Sequence, residues 1–340
     1  MPDQSRSRRE FLTTASAIAA AAMLPDAAYG GQGTKGGRSM IGCHSRPFSR
    51  FRLGQDELLD AIKAAGYKSA DMIRATPPAP PGATVAQAPA GQRGRGALPP
   101  VTPESTAALK EKLAARGLVS TVVGLTVPTG VPLAEAVTSA RKQIADAHAL
   151  GQKYALYLGM GHEDQYVHVT KVLSDAAAYG KERGVQVAIK HHHGLNNTSG
   201  ELVGWVRQVN HPNFSIFLDP GNVIYYTGKD PVAALEIIGP YVTGVVAKDC
   251  AGPHFMEREV GAPAFGTANP DPRGDEVMIQ FGTGKVNFAG MFKKLEGLGF
   301  NGPIMVEGTA VGETIEATIA NARANREFLE KVTAESGTRS

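Results

Sequence analysis

The feature that most limits how this chain can fold is an alternation, repeated along its length, of short apolar runs with longer amphipathic stretches. The apolar runs fall at 40–43, 69–73, 119–125, 155–158, 186–189, 215–218, 242–247 and 303–306. They are apolar or β-branched with little polar interruption, as strands covered on both faces must be. Helical patterning follows at 55–65, 104–116, 133–150, 164–183, 200–209, 231–238, 287–298 and 313–331. Eight strands, each followed by a helix, predict one α/β domain, a closed (β/α)8 (TIM) barrel. An open doubly wound sheet is the alternative, but it places a Gly-rich phosphate fingerprint after its first strand. No such fingerprint occurs here, so no nucleotide cofactor is expected.

With 340 residues, the chain exceeds the roughly 250 that a barrel needs, which leaves room for appendages. Hydrophobic residues make up 42% and charged residues 20%, enough of each for a packed core under a soluble surface. The net charge is +3 and the basic residues are dispersed, so nucleic acid is not an expected partner. Cys43 and Cys250 have neither CxxC nor zinc-ribbon spacing and cannot form a disulfide framework. Two free thiols are expected.

The first residues read differently. Arg6, Arg8 and Arg9 precede an alanine-rich apolar run from Ala15 to Leu24, too short for a membrane span but in the charge order of a secretory signal. Ser7-Arg8-Arg9-Glu10-Phe11-Leu12 resembles the twin-arginine export signal, and Ala28 and Gly30 suit a signal peptidase. The expected organisation is a signal over 1–30, a Gly-rich linker over 31–37, the barrel over 38–332 and a tail over 333–340. Such a protein would engage the twin-arginine machinery and end in the periplasm or outside the cell, without a stable membrane span.

Two insertions interrupt the alternation, a Pro/Ala/Gly-rich stretch over 76–103 and a second over 251–284. Both follow strands, which puts them on the face where barrels keep their active sites. At that face the strands end in polar residues: Lys190-His191-His192-His193-Gly194 after the fifth, Asp219-Pro220-Gly221-Asn222 after the sixth, Lys248-Asp249 after the seventh and Glu307-Gly308 after the eighth.

The phrases VAIKHHHG, FLDPGN, VVAKDC and PIMVEGT, with FGTGKVNF before the last, resemble the xylose isomerase-like barrel superfamily of sugar isomerases, epimerases and inosose dehydratases. The resemblance covers most of the chain after residue 38. It implies a divalent metal held by Glu, Asp, His and Glu at the ends of strands five to eight. Asp219 and Glu307 match the second and fourth places, whereas Lys190 and Val246 stand in the first and third. A catalytic ion usually needs three protein ligands. Either His192 or His254 completes a set for manganese, zinc, magnesium or iron, or the Lys190 ammonium takes the ion's place between Asp219 and Glu307.

The chemistry that the resemblance implies is removal of a proton next to a carbonyl, which requires a base and a partner for the enediolate oxygen. Glu307 or Asp219 is the expected base and Lys190, or a metal, the stabiliser. Lys248 is a further cation, and a lysine of lowered pKa could also form a Schiff base with a keto sugar. His44, His193, Asn222, Asp249 and His254 are the expected contacts to a sugar, keto sugar or polyol. At least one residue of the histidine triplet must turn away from the pocket. Asp219 before Pro-Gly also suits a helix N-cap, and His148, His162, His168, His211 and Trp205 read as structural. The competing reading is a barrel that binds a sugar or a partner protein and has lost catalysis. A metal-rich nuclease is disfavoured by the scarcity of Glu and His ligands. Association into an oligomer is open, since no surface stripe marks an interface.

Overall fold

The computed structural model describes residues 39–75, 101–159, 163–253 and 277–337. Its eight strands are β1 Ile41–His44, β2 Ser69–Asp71, β3 Val122–Leu125, β4 Tyr154–Tyr157, β5 Gln186–Lys190, β6 Phe214–Leu218, β7 Val242–Ala247 and β8 Ile304–Val306. All pair in parallel, in the order β2-β1-β8-β7-β6-β5-β4-β3. The circuit is completed between β2 and β3 by a single bridge, Ser69 to Val119, and by main-chain bonds from Ala70 N to Val119 O and Met72 N to Val122 O. A parallel sheet that returns to its first strand with helices outside is the TIM-barrel fold.

The described helices are α1 Gln55–Ala64, α2 Pro103–Ala115, α3 Leu133–Leu150, α4 Tyr166–Arg183, α5 Ser199–Val209, α6 Pro220–Thr227, α7 Pro231–Ile238, α8 Phe288–Gly297 and α9 Ile315–Glu335. Their ends follow local chemistry. Thr102 and Thr198 accept from the amides of Ser105 and Glu201, while α3 and α4 stop at left-handed Gly151 and Gly184. Trp205 of α5 is fully buried, stacks near Tyr157 and Tyr166, and donates its indole N–H to Leu195 O at 2.9 Å. None of the described helices is long and apolar enough to cross a membrane.

Four elements depart from expectation. β2 ends at Asp71 because Met72 takes a left-handed φ of 57°, which a strand cannot continue through. β3 begins only at Val122, since Val119 makes an isolated bridge and lies exposed. The stretch Pro220–Thr227, absent from the expected helices, is helical, started by Pro220 at the first position and by the Asp219 side chain, which accepts from Asn222 N as an N-cap does. The last helix runs to Glu335, four residues beyond its expected end at 331.

Inside the barrel, Val122, Leu156, Ala188, Phe217, Val246 and Met305, one from each of β3 to β8, form a fully buried apolar layer. Side chains alternate along a strand, so the residue two positions further points to the same side one layer up. From Ala188, Phe217, Val246 and Met305 that step arrives at Lys190, Asp219, Lys248 and Glu307. Strand geometry alone converges four charged side chains on an apolar floor.

Candidate active site

Lys190 Nζ lies between two carboxylates, 2.8 Å from Asp219 Oδ2 and 2.5 Å from Glu307 Oε2. Lys248 Nζ faces the same pair more loosely, at 3.4 Å from Asp219 Oδ2 and 3.3 Å from Glu307 Oε1. Glu307 Oε1 also accepts from Arg46 Nη1 at 2.9 Å. Both lysines are at most 2% exposed and Asp219 is wholly buried, whereas the Arg46 side chain is 36% exposed and marks the open side.

Gly221 and Gly308, one after Asp-Pro and one after Glu307, make room for this arrangement. A Cβ on Gly221 would lie 2.8 Å from Lys248 Cγ, and one on Gly308 would lie 2.9 Å from the same atom. The lysine stem runs through a slot that only glycines leave open. At its tip, Asn222 Oδ1 accepts from Lys248 Nζ at 3.0 Å while Asn222 Nδ2 donates to His191 O at 2.8 Å. Asn222 therefore orients Lys248 and ties it to the end of β5.

The two lysines differ in their hold on a proton. Burial pulls Lys190 down, but Asp219 and Glu307 together outweigh it and raise its pKa above the usual lysine value. Burial also pulls Lys248 down, and here the longer contacts to the carboxylates, opposed by Lys190 and Arg46, leave its pKa lowered. Burial pushes Glu307 up, yet Lys190, Lys248 and Arg46 hold it well below the usual carboxylate range. One amine is a fixed cation and the other releases its proton more readily.

Half-buried His44 accepts from Arg46 N at 2.8 Å through Nδ1, so the neutral ring carries its proton on Nε2. Burial first, then Lys190, Arg46 and Lys248 against an opposing pull from Glu307, push it down to about 4. His192 is pushed to about 3 by burial and by both lysines. His193 is lowered by burial alone, and its ring lies 6.2 Å from that of Tyr226. His191 is the member of the triplet that turns away, with Nε2 3.3 Å from Ser199 Oγ on α5.

Asp249 does not join the cluster. Its carboxylate accepts from the backbone N–H groups of Cys250, Gly282, Gly284 and Val286, which pins the chain after 277 to the end of β7. Its expected substrate contact is thus replaced by a structural one. His254 and His162 lie outside the described residues, as do 76–100 and 254–276. His148, His168 and His211 bond main-chain atoms, Arg183 O, Pro128 O and Asn213 N respectively, away from the cluster. Both cysteines are buried free thiols. Arg46 was missed by sequence reasoning, although it stands two residues beyond the end of β1, where the strand-end rule would have found it.

The donors among the described residues do not fit a divalent ion. Among the described residues no three His, Cys, Asp or Glu side chains converge as a ligand set. Asp219 and Glu307 are already bridged by two ammonium groups. Val246, at the place where the family resemblance asks for a histidine, lies fully buried in the apolar layer.

The chain is, by class, a (β/α)8 barrel with a charged cluster at the carboxyl ends of its strands, the face on which barrels of this fold carry their active sites. The model of the family described as "Xylose isomerase-like TIM barrel" matches residues 59–332, and the chain belongs to that family. No curated protein matches the sequence. Among solved structures the chain is similar to a xylose isomerase domain protein from Planctomyces limnophilus, at 19% identity and TM-score 0.60 over 88% of this chain and 99% of that one. It is also similar to D-allulose 3-epimerase from Methylomonas sp. in complex with D-allulose, at 16% identity and TM-score 0.60 over 87% and 97%. A third is the probable 3-DHS dehydratase of petrobactin synthesis from Bacillus anthracis, at 12% identity and TM-score 0.59 over 85% and 98%. At these identities the likeness establishes the fold.

Proposed function

We propose that the protein is a metal-independent proton-transfer enzyme acting on a carbohydrate carbonyl compound, as an isomerase, epimerase or dehydrating lyase. The observation that carries this reading is the interleaving of two lysines with two carboxylates at the strand ends, with one lysine held tightly and the other loosely. Membership of the xylose isomerase-like family supports it, as do structural relatives that are named epimerases and a probable dehydratase.

The roles follow from the electrostatics. Lys248, whose ammonium gives up its proton more readily than that of Lys190, is the base: once deprotonated it takes the proton from the carbon next to the carbonyl, and the C–H electron pair moves to the carbonyl oxygen. Lys190 stabilises the resulting enediolate; an ammonium has three N–H groups and the carboxylates use two of Lys190's. Asp219 and Glu307, which the sequence offered as bases, instead keep the two amines apart and in place. Delivery of a proton to the opposite face gives epimerisation; delivery to the neighbouring carbon, with the hydroxyl proton passing to the former carbonyl oxygen, gives isomerisation; and loss of the β hydroxyl, which takes up a proton and leaves as water, gives dehydration. Exclusion of water from the floor strengthens each of these contacts.

Incubation of the chelator-treated protein with ketohexoses and keto aldonates in D2O tests the proposal, with NMR following carbon-bound deuterium and loss of water. Exchange should persist in chelator and fall by about a hundredfold or more in Lys248→Met, the usual scale for a general base. Exchange that vanishes with chelator and returns with a divalent ion would overturn the metal-free mechanism. The near-complete burial of the cluster favours one second reading, a sugar-binding barrel without turnover. Binding with no exchange for any compound would select that reading.

The segment 1–30 supports a further part of the proposal, that the enzyme works outside the cytoplasm after twin-arginine export. Phosphorylated sugars, which are chiefly intracellular, are then poor substrate candidates.

A further inference from the structure

We infer that the substrate carries a carboxylate next to its reacting carbonyl, and that Arg46 with His44 forms the subsite that holds it. This deepens the proton-transfer reading and rests on it for the position of the carbonyl.

The open side of the cluster is donor-rich. The Arg46 guanidinium has five N–H groups, and its one hydrogen bond among the described residues runs from Nη1 to Glu307 Oε1. With 36% of its side chain exposed, the rest of the fork is available to a ligand. His44 stands beside it and is held as the tautomer that donates from Nε2, because Nδ1 is occupied by Arg46 N. The lysines behind are donors too. The two carboxylates that could accept from sugar hydroxyls already receive from Lys190, Lys248 and Arg46.

A neutral polyol brings as many donors as acceptors and finds few described acceptors free at this mouth. A planar carboxylate brings only acceptors and matches a guanidinium fork in geometry as well as charge. Bound on the exposed Arg46 side, it leaves the adjacent carbonyl pointing inward to Lys190 and Lys248. Arg46 thus acts as a specificity-determining residue, in contact with substrate but not with the transferred proton.

Three probes isolate the feature: 2-keto-D-gluconate, D-fructose, which has a hydroxymethyl group in place of the carboxylate, and D-fructose 1-phosphate, which carries a tetrahedral anion at the same end. Calorimetric titration of the chelator-treated protein should show the keto acid binding at least about tenfold more tightly than either of the others. Arg46→Gln should abolish that preference and Arg46→Lys, which keeps the charge without the fork, should retain only part of it. Equal binding of the keto acid and D-fructose, absence of keto-acid binding, a preference for the phosphate ester, or an unchanged preference in Arg46→Gln would each overturn the inference. Lys248→Met separates the two readings. If it keeps the preference but also exchanges deuterium normally, the subsite stands and the proton-transfer assignment falls.

Discussion

Two ammonium groups sharing two buried carboxylates cannot all be equivalent, since each is pulled toward its neutral form by the loss of water. Distance divides the labour: Lys190 sits within 2.8 Å of both carboxylates, whereas Lys248 is no closer than 3.3 Å. The tight position lies between the two residues that match the family's metal ligands, so Lys190 stands as a covalently tethered cation. Lys190→Glu replaces that cation with a third carboxylate and turns the site into one that must bind positive charge. Elemental analysis of the purified proteins should find about one equivalent of divalent metal in the variant and none in the native protein, as three converging ligands suffice for a site. A stoichiometric metal in the native protein would contradict the replacement. Lys190, Asp219 and Glu307 were legible as a trio because residues ending neighbouring strands must converge. The different grip on Lys248 was not legible. It depends on the slot between Gly221 and Gly308 and on the Asn222 amide, contacts that join three strand ends and leave no local pattern.

Among the elements, the seam between β2 and β3 is the point where the barrel closes with the fewest ladder bonds. Asp71 reinforces it. Its Oδ1 accepts from Thr121 N at 2.8 Å and Val122 N at 3.0 Å, and from Ser69 Oγ at 2.8 Å. Burial raises Asp71 to about 6 despite these three bonds, which oppose the shift. A carboxyl whose folded pKa lies above its unfolded value near 3.8 adds stability that is full below about pH 4 and is lost as pH rises through about 6. The loss is on the order of 3 kcal/mol by linkage. Asn keeps the acceptor oxygen and removes the titration, so Asp71→Asn should gain on the wild type by that order between pH 4 and pH 7.5 in urea unfolding. A stability difference that stays flat with pH would mean Asp71 titrates as it does in water. The strands and most helices were legible from periodicity, and β7 was read to the residue. The seam was not, because the apolar run from Val119 gives no sign that pairing starts only at Val122 or that Met72 turns left-handed. The start of helix α6 was legible in Asp219 before Pro-Gly as an N-cap, but its extent was not, because no apolar periodicity marks 220–227 and Asp219 caps the helix while also holding Lys190.

On the scale of the whole molecule, the proposal that the barrel supplies its own cation has a consequence for where it can work. A metal site loaded by the cell depends on the ion available at folding and on its retention afterwards, whereas Lys190 is carried by the chain. On the metal-independent proposal such a protein would need no ion delivered to it beyond the cytoplasm, which agrees with the proposed export through residues 1–30. The arginine pair Arg8-Arg9 and the small residues before Gly31 make that proposal specific. Intact-mass measurement of the protein from a periplasmic extract should give a chain beginning near Gly31. Arg8→Lys combined with Arg9→Lys should leave the full-length precursor in the cytoplasm, with the barrel still folded, since the described fold begins only at residue 39. Unchanged export of that double variant would assign the route to another signal. Full-length protein in the cytoplasm of wild-type cells would remove the argument from compartment against phosphorylated substrates, while the charged cluster and the Arg46 subsite would stand on their own geometry.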